Sequence, residues 1–211
     1  MEEREQVSKG QKIGIFAGSF DPVHSGHIKA AEVALKQLEL TTVYFVVEPR
    51  PRYKQGVKAL EHRSEMVRLA IKDNPNLKQI IINEPYCTTE DTLPKLEQRF
   101  PGSQFYLLMG DDVARRIADW THTRELFDSV ELVILQRMMD PVDIQGIFTK
   151  LEAVRGKRPS YHLLSNEPIS CSSSEIKKHL KAGEAPSDCL HQDVLAYLKQ
   201  HNIYGSSGLG S

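Results

Sequence analysis

The sequence predicts an α/β fold, a parallel sheet flanked by helices, and two observations carry that prediction. Short β-rich runs alternate with helix-patterned segments along nearly the whole chain, an order that builds a parallel sheet through right-handed crossovers. The first run, Lys12-Ile13-Gly14-Ile15-Phe16-Ala17, stops at a glycine and passes at once into helix-forming sequence, the junction of a βα unit.

Strands are expected at 13–17, 43–48, 79–83, 104–109, 131–136 and 161–164, each a short run rich in β-branched and aromatic residues. Helices are expected at 28–38, 61–72, 91–100, 113–118 with 124–127, and 144–154, where apolar residues recur every three or four positions. Two further helical patterns, 172–180 and 193–201, close the chain and should pack near the same sheet edge as the first junction. The 211 residues suffice for one sizeable core. The organisation expected is a flexible N-terminus over 1–10, a single domain over 11–204 and a flexible Gly/Ser-rich tail over 205–211.

Bulk properties exclude several classes of function. Lys and Arg number 27 against 28 Asp and Glu, and aromatics are only 7%, so neither a basic field nor a stacking platform points to nucleic acid. No apolar run approaches the roughly 20 residues needed to cross a bilayer, and the charged N-terminus (Glu2, Glu3, Arg4, Glu5) is unlike a secretion signal, so a cytoplasmic protein with no membrane partner is expected. Cys87, Cys171 and Cys189 have no CxxC spacing and no histidine at zinc-ligand spacing, so reduced thiols are expected, with neither a disulfide framework nor a structural metal.

The chemistry concentrates at the first junction, Gly18-Ser19-Phe20-Asp21-Pro22-Val23-His24-Ser25-Gly26-His27. A strand feeding a helix through a tight turn aims backbone N–H groups and the positive end of the helix dipole at whatever lies above it, and a phosphate is the favoured occupant. His24 and His27, three residues apart, fall on one face of the first helical turn, where both imidazoles can reach the same phosphoryl oxygens. Gly26 between them lets a ligand approach the backbone.

A second anion site is predicted at Cys171-Ser172-Ser173-Ser174-Glu175-Ile176-Lys177. Ser172 would cap a helix, leaving Ser173, Ser174 and the Lys177 ammonium for the β- and γ-phosphates of a nucleotide. Pro49-Arg50-Pro51-Arg52-Tyr53-Lys54 follows the second strand and adds cations at the carboxyl edge, where Arg50 and Arg52 read equally well as a solvated basic loop. Asp111, after the strand at 104–109, lies where a ribose hydroxyl would be held or a helix capped. Trp120, the single tryptophan, offers an aromatic face for stacking or a side chain for the core.

These segments together resemble a known family. The first has the (H/T)xGH signature of the nucleotidyltransferase superfamily and, more closely, the GxFDPxHxGH form of the nicotinate mononucleotide adenylyltransferases. The second is similar to that family's ISSTxIR motif, with Ser174 in place of Thr and Lys177 in place of Arg. Lys54 looks like the Lys of its Pro-Pro-x-Lys loop, His62-Arg63 with Met66 and Leu69-Ala70-Ile71 resembles its HRxxMLxLAI helix, and Phe105–Asp111 with Trp120 resembles its FxxIIGxD…W segment. Thr89-Glu90-Asp91-Thr92-Leu93 matches T-Y-D-T-L, with Glu90 replacing Tyr. The similarity runs from about Ile13 to Tyr204.

The resemblance implies a Rossmann-like sheet of the nucleotidyltransferase type and adenylyl transfer from ATP to nicotinate mononucleotide in NAD biosynthesis. It implies His24, His27 and Lys54 as catalytic residues. It further implies ATP contacts from Gly18, Ser19, Phe20, His24, Gly26, His27, Gly110, Asp111, Ser173, Ser174 and Lys177, and pyridine-nucleotide contacts from Ser19, Phe20, Lys54, Thr89 and Trp120. Mg2+ would be bound through the ATP phosphates, with no protein metal cage, and a homo-oligomer is compatible with the family. Nicotinamide mononucleotide, phosphopantetheine or a flavin mononucleotide would also suit the first motif as acceptor. A nucleotide-binding sensor without turnover is the alternative from another class.

Overall fold

In the computed structural model, residues 10–51, 54–82, 84–136, 143–165 and 171–208 are described. Six strands, β1 (Lys12–Gly18), β2 (Thr42–Val47), β3 (Leu77–Ile80), β4 (Gln104–Gly110), β5 (Val130–Gln136) and β6 (Tyr161–Ser165), form one sheet in the order β3-β2-β1-β4-β5-β6. Every neighbouring pair is parallel. The α/β, Rossmann-like architecture expected from the alternation is thus the one found. Strand order reverses between β1 and β4, and in such sheets the crevice beyond the carboxyl ends at that point is where ligands bind.

Both faces of the sheet are covered, so the strands alternate between two apolar layers with a period of two. Phe16, Val43, Phe45, Val47, Val133 and Leu135 point into one layer beneath α1 (Ser25–Gln37), α2 (Leu60–Ile71), α7 (Ser173–Lys181) and α8 (Gln192–Gln200). Ile13, Ile15, Tyr44, Val46, Leu132 and Ile134 point into the other, beneath α3 (Thr89–Arg99), α4 (Asp111–Ala114), α5 (Thr123–Ser129) and α6 (Ile144–Arg155). Gly14 is required by packing: a Cβ there would lie 2.8 Å from Val43 Cγ2 and 3.0 Å from Leu40 Cδ1.

Most element bounds shift by one to three residues, as where α1 starts at Ser25 and α3 at Thr89, and two differences have an evident cause. β3 begins and ends earlier than 79–83, because Leu77 and Ile80 are the residues that reach the core while Ile81 is 69% exposed. Asn74 and Asn76 set that start, through the hydrogen bonds Leu77 N to Asn74 O and Val43 N to Asn76 O. The helix expected at 113–118 is broken into α4 and a 3-10 turn at Ile117–Asp119, after which His122 takes a left-handed conformation and α5 begins. Residues 1–9 of the expected flexible start, Asn83 of the third expected strand and residues 209–211 of the expected tail lie outside the described residues. The tail's first part follows a kink at Tyr204 and Gly205, both left-handed, within the turns of Ile203–Gly208. Among the described residues no helix is long and apolar enough to cross a membrane.

Candidate active site

β1 and β4 are adjacent, so the loop leaving Gly18 and the helix entering at Gly110 meet at the switch point. The loop is rigid because its residues are buried rather than solvated. Ser19, Asp21, Val23 and His24 are buried, and Phe20, 2% exposed at a positive φ of 45°, is packed edge-on against Phe16 (centroids 5.6 Å) and His27 (5.1 Å). The Phe20 ring therefore belongs to the core, and what this residue can offer a nucleotide is backbone.

His24 is the N-cap of α1, and His27 is its third helical residue. The His24 N–H donates to His27 Nδ1 at 3.2 Å, while the His27 N–H donates to the His24 carbonyl at 2.9 Å. This reciprocal cap fixes a tautomer. A neutral His27 whose Nδ1 accepts a backbone N–H carries its proton on Nε2, which makes Nε2 a hydrogen-bond donor. The two rings lie close together, tilted by 37° with centroids 3.8 Å apart, so the imidazoles are paired at the start of one helix as expected.

The residue that holds the surrounding loops in place is Arg63 on α2, which is 1% exposed. Its guanidinium donates to the carbonyls of Ser19 (2.8 Å), Glu48 (2.8 Å), Pro49 (3.0 Å) and Lys58 (2.7 Å). One planar fork thereby ties the β1–α1 loop to the β2–α2 loop. Sequence reading gave the His62-Arg63 helix to the fold; the only signal for this clamp was an arginine inside an otherwise apolar helical face. His62 is structural too, its Nδ1 lying 2.8 Å from Tyr197 Oη on α8.

Lys54 reaches back to the first loop and donates to Ser19 Oγ at 2.8 Å. Burial pushes its ammonium below the ordinary lysine range, and the carboxylates of Asp112 and Glu48 pull it part of the way back. Arg50 lies at the same edge, its N–H bonded to the Pro85 carbonyl at 3.1 Å; Arg52 lies outside the described residues. After β4, Gly110 is the N-cap of α4 and Asp111 is 2% exposed, its Oδ1 accepting the Asp112 N–H at 2.9 Å. The exposed carboxylate facing Lys54 is Asp112. The sequence does not single it out, because two consecutive aspartates cannot be told apart until the turn of α4 buries one of them.

The second predicted anion site also docks here. Ser172 caps α7, its Oγ accepting the Glu175 N–H at 3.2 Å, and Ser173 Oγ donates to the Pro22 carbonyl at 3.0 Å. Ser174 is exposed in the first turn, and Lys177 pairs with Asp21. Burial raises the Asp21 carboxyl, but hydrogen bonds from Lys177, Tyr204 and the Lys58 N–H outweigh it and hold the group below the usual carboxylate range. Its stabilising contribution is therefore complete above that range and is lost as pH falls through the depressed value.

The expectation of three reduced cysteines is corrected. Cys171 and Cys189 form a disulfide, with Cα atoms 5.6 Å apart, and Cys87 is the free thiol. The reason is tertiary: the α7–α8 connection folds back beneath the α1 N-terminus, where the Cys189 carbonyl accepts the Ser25 N–H at 2.8 Å and Ser25 Oγ lies 3.5 Å from Cys171 Sγ. The crosslink closes a loop of 18 residues, which should be worth about 3 kcal/mol. Cys189→Ser, or added reductant, is accordingly expected to lower the melting temperature by about 6–12 °C, read by thermal unfolding with and without dithiothreitol. Coincident melting curves would show that the bridge contributes nothing.

The two residues expected to receive a base stand on the far side of the crevice. Thr88 is the cap of α3, its Oγ1 accepting the Asp91 N–H at 3.1 Å, which leaves Thr89 as the first helical residue. Trp120 is half-buried at the margin of the second apolar layer, between the 3-10 turn and α5. A side-chain contact, His122 Nε2 to Glu90 Oε1 at 2.5 Å, joins the α3 start to the Trp120 segment. Glu90, a departure at the sequence level, thus has a structural partner.

A parallel sheet whose switch point carries a histidine-capped helix, a lysine bonded to the first loop and a second serine-capped helix has the arrangement of a nucleotide-binding transferase. The family model described as cytidylyltransferase-like matches residues 15–179, and the chain belongs to that family. Within it the chain belongs with the nicotinate-nucleotide adenylyltransferases. It is 30% identical to the nicotinate-nucleotide adenylyltransferase of Bacillus subtilis (strain 168) over 93% of this chain and 100% of that protein. It is 32% identical to a Thermus thermophilus protein named "Probable nicotinate-nucleotide adenylyltransferase", over 92% of this chain and 99% of that one. Among solved structures, the Plasmodium falciparum nicotinic acid mononucleotide adenylyltransferase complexed with NaAD shares the fold, with a TM-score of 0.76 at 22% identity over 92% of this chain and 97% of that one.

Proposed function

We propose that this chain transfers the adenylyl group of ATP to the phosphate of nicotinate mononucleotide, giving nicotinate adenine dinucleotide and pyrophosphate. The observation that carries the chemistry is the α1 cap, in which the His24 N–H on Nδ1 leaves the proton of a neutral His27 on Nε2, at the point where strand order reverses. The Bacillus subtilis relative's name supplies the acceptor.

The acceptor phosphate is already a nucleophile, so no covalent enzyme intermediate is required. The protein has to bring two anions together and stabilise the charge that grows on the α-phosphoryl oxygens and on departing pyrophosphate. His24 and His27 serve the α-phosphate as preorganised donors that need no rearrangement during reaction. Gly18, Ser19, the Phe20 backbone and Gly26 let the nucleotide approach the loop. Lys54, Ser173, Ser174 and Lys177 take the leaving side, and Gly110 with Asp111 flank the ribose. Thr89 and Trp120 receive the pyridine ring, the indole face attracting the pyridinium.

Magnesium fits this site as part of the substrate. Among the described residues no group of three or more His, Cys, Asp or Glu could cage a metal, and an ion that keeps its waters and rides on phosphates asks for one or two carboxylates at most, which Asp112 can supply. When bound, it neutralises phosphate charge.

The reading is tested by pyrophosphate release from Mg-ATP with nicotinate mononucleotide and, in parallel, with nicotinamide mononucleotide. Release with the nicotinate acceptor, at a several-fold higher kcat/KM than with the amide, is expected. Release only with the amide would reassign the acceptor, and ATP binding without release would favour a sensor.

A further inference from the structure

Asp21 is a carboxylate at 2% exposure inside a phosphate-directed loop, and the groups around it can be named. Lys177 from α7 pairs with Oδ2. Oδ1 accepts the Lys58 N–H at 3.1 Å and the hydroxyl of Tyr204, four residues beyond the end of α8. The Arg63 guanidinium and the Lys54 ammonium complete the positive surroundings.

Tyr204 is built into this position. It is buried at 7% exposure, in a left-handed conformation (φ 60°), and anchored by its neighbour Ile203 in the apolar layer. Its ring lies under two ammonium groups, Lys58 Nζ at 5.5 Å and Lys177 Nζ at 5.3 Å. Burial and the Asp21 carboxylate push the phenol far above its ordinary range, so it stays a proton donor at every working pH.

Lys177 faces two demands. The phosphates of a bound nucleotide need its ammonium, and so does Asp21, which as a buried carboxylate would hold its cation firmly if that cation were its sole partner. Two neutral donors that stay in place change the balance, because the carboxylate left behind remains hydrogen-bonded. We infer that Tyr204 is a positioning residue for the nucleotide: by donating to Asp21 it releases Lys177 to swing from Asp21 to the ATP phosphates, and its ring holds the ammonium along the way. No bond is made or broken in this exchange, and the Asp21 carboxylate keeps its charge throughout.

The inference rests on the nucleotide site proposed above, and Mg-ATP binding measured by calorimetry tests it separately from turnover. Tyr204→Phe keeps the ring and removes the donor. It is expected to weaken Mg-ATP binding about tenfold, the worth of one hydrogen bond to a charged group, while the KM for nicotinate mononucleotide stays within about twofold. Asp21→Asn removes the competitor for Lys177, so adding Tyr204→Phe to it should cost nothing further. A merely structural Tyr204 would weaken binding equally in both backgrounds, and that result, or unchanged affinity in Tyr204→Phe, overturns the inference. Melting temperatures of all four proteins separate either result from misfolding. A wild-type protein that binds ATP but releases no pyrophosphate overturns the functional reading and leaves the exchange to be judged on binding. One that binds no ATP overturns both.

Discussion

His27→Ala is expected to lower kcat by about 10²–10³ while leaving the melting temperature within a degree or two of wild type. The magnitude is that of losing one preorganised donor to developing charge. The small stability effect follows from the cap geometry. His27 is half-buried, and alanine at the third helical position removes a side-chain cap while Phe20, Val23 and Phe16 keep the apolar support of the loop. Steady-state kinetics should show kcat and kcat/KM falling together, the signature of an interaction made in the transition state. An unchanged kcat would remove His27 from the chemistry.

Arg63→Met is expected to do the reverse, with stability as the first loss. The side chain donates to four main-chain carbonyls in a buried setting, and methionine fills the apolar stem but leaves all four acceptors without the fork. A penalty of about 3–5 kcal/mol follows from stranding buried polar groups. It would be read as a lower urea midpoint at constant m. Arg63→Lys should recover only a fraction, because an ammonium cannot span the Ser19 and Pro49 carbonyls as a planar fork does. A midpoint equal to wild type would mean that the clamp is redundant with the sheet.

The parts of the fold legible in the sequence were those governed by local periodicity. Val43 to Val47 and Leu132 to Leu135 alternate between two apolar layers, and unbroken apolar runs of that length in an alternating chain leave little besides a doubly covered parallel strand. The geometry of the Gly18–His27 loop was legible for the same reason, since the strand, the turn and the helix start are contiguous. Where long-range packing decides, the sequence was silent. Ile81 looked as strand-like as Ile80, and only the pairing of Leu77 with Val43 fixes which residues of that run are buried. Cys171 and Cys189 are brought together by the return of the α7–α8 connection, and Asp21 meets Lys177 and Tyr204 across 156 and 183 positions. Arg63 shows a third limit: its helix was recognised, yet the carbonyls it binds belong to loops whose course depends on the arginine itself.

Transfer of the adenylyl group of ATP to nicotinate mononucleotide can be followed with ATP labelled with ³²P at the α position, Mg2+, nicotinate mononucleotide and the wild-type protein, with products separated by chromatography. The label is expected to move into nicotinate adenine dinucleotide in step with pyrophosphate release. Label that stays in ATP, or that emerges as AMP with no dinucleotide formed, would contradict it.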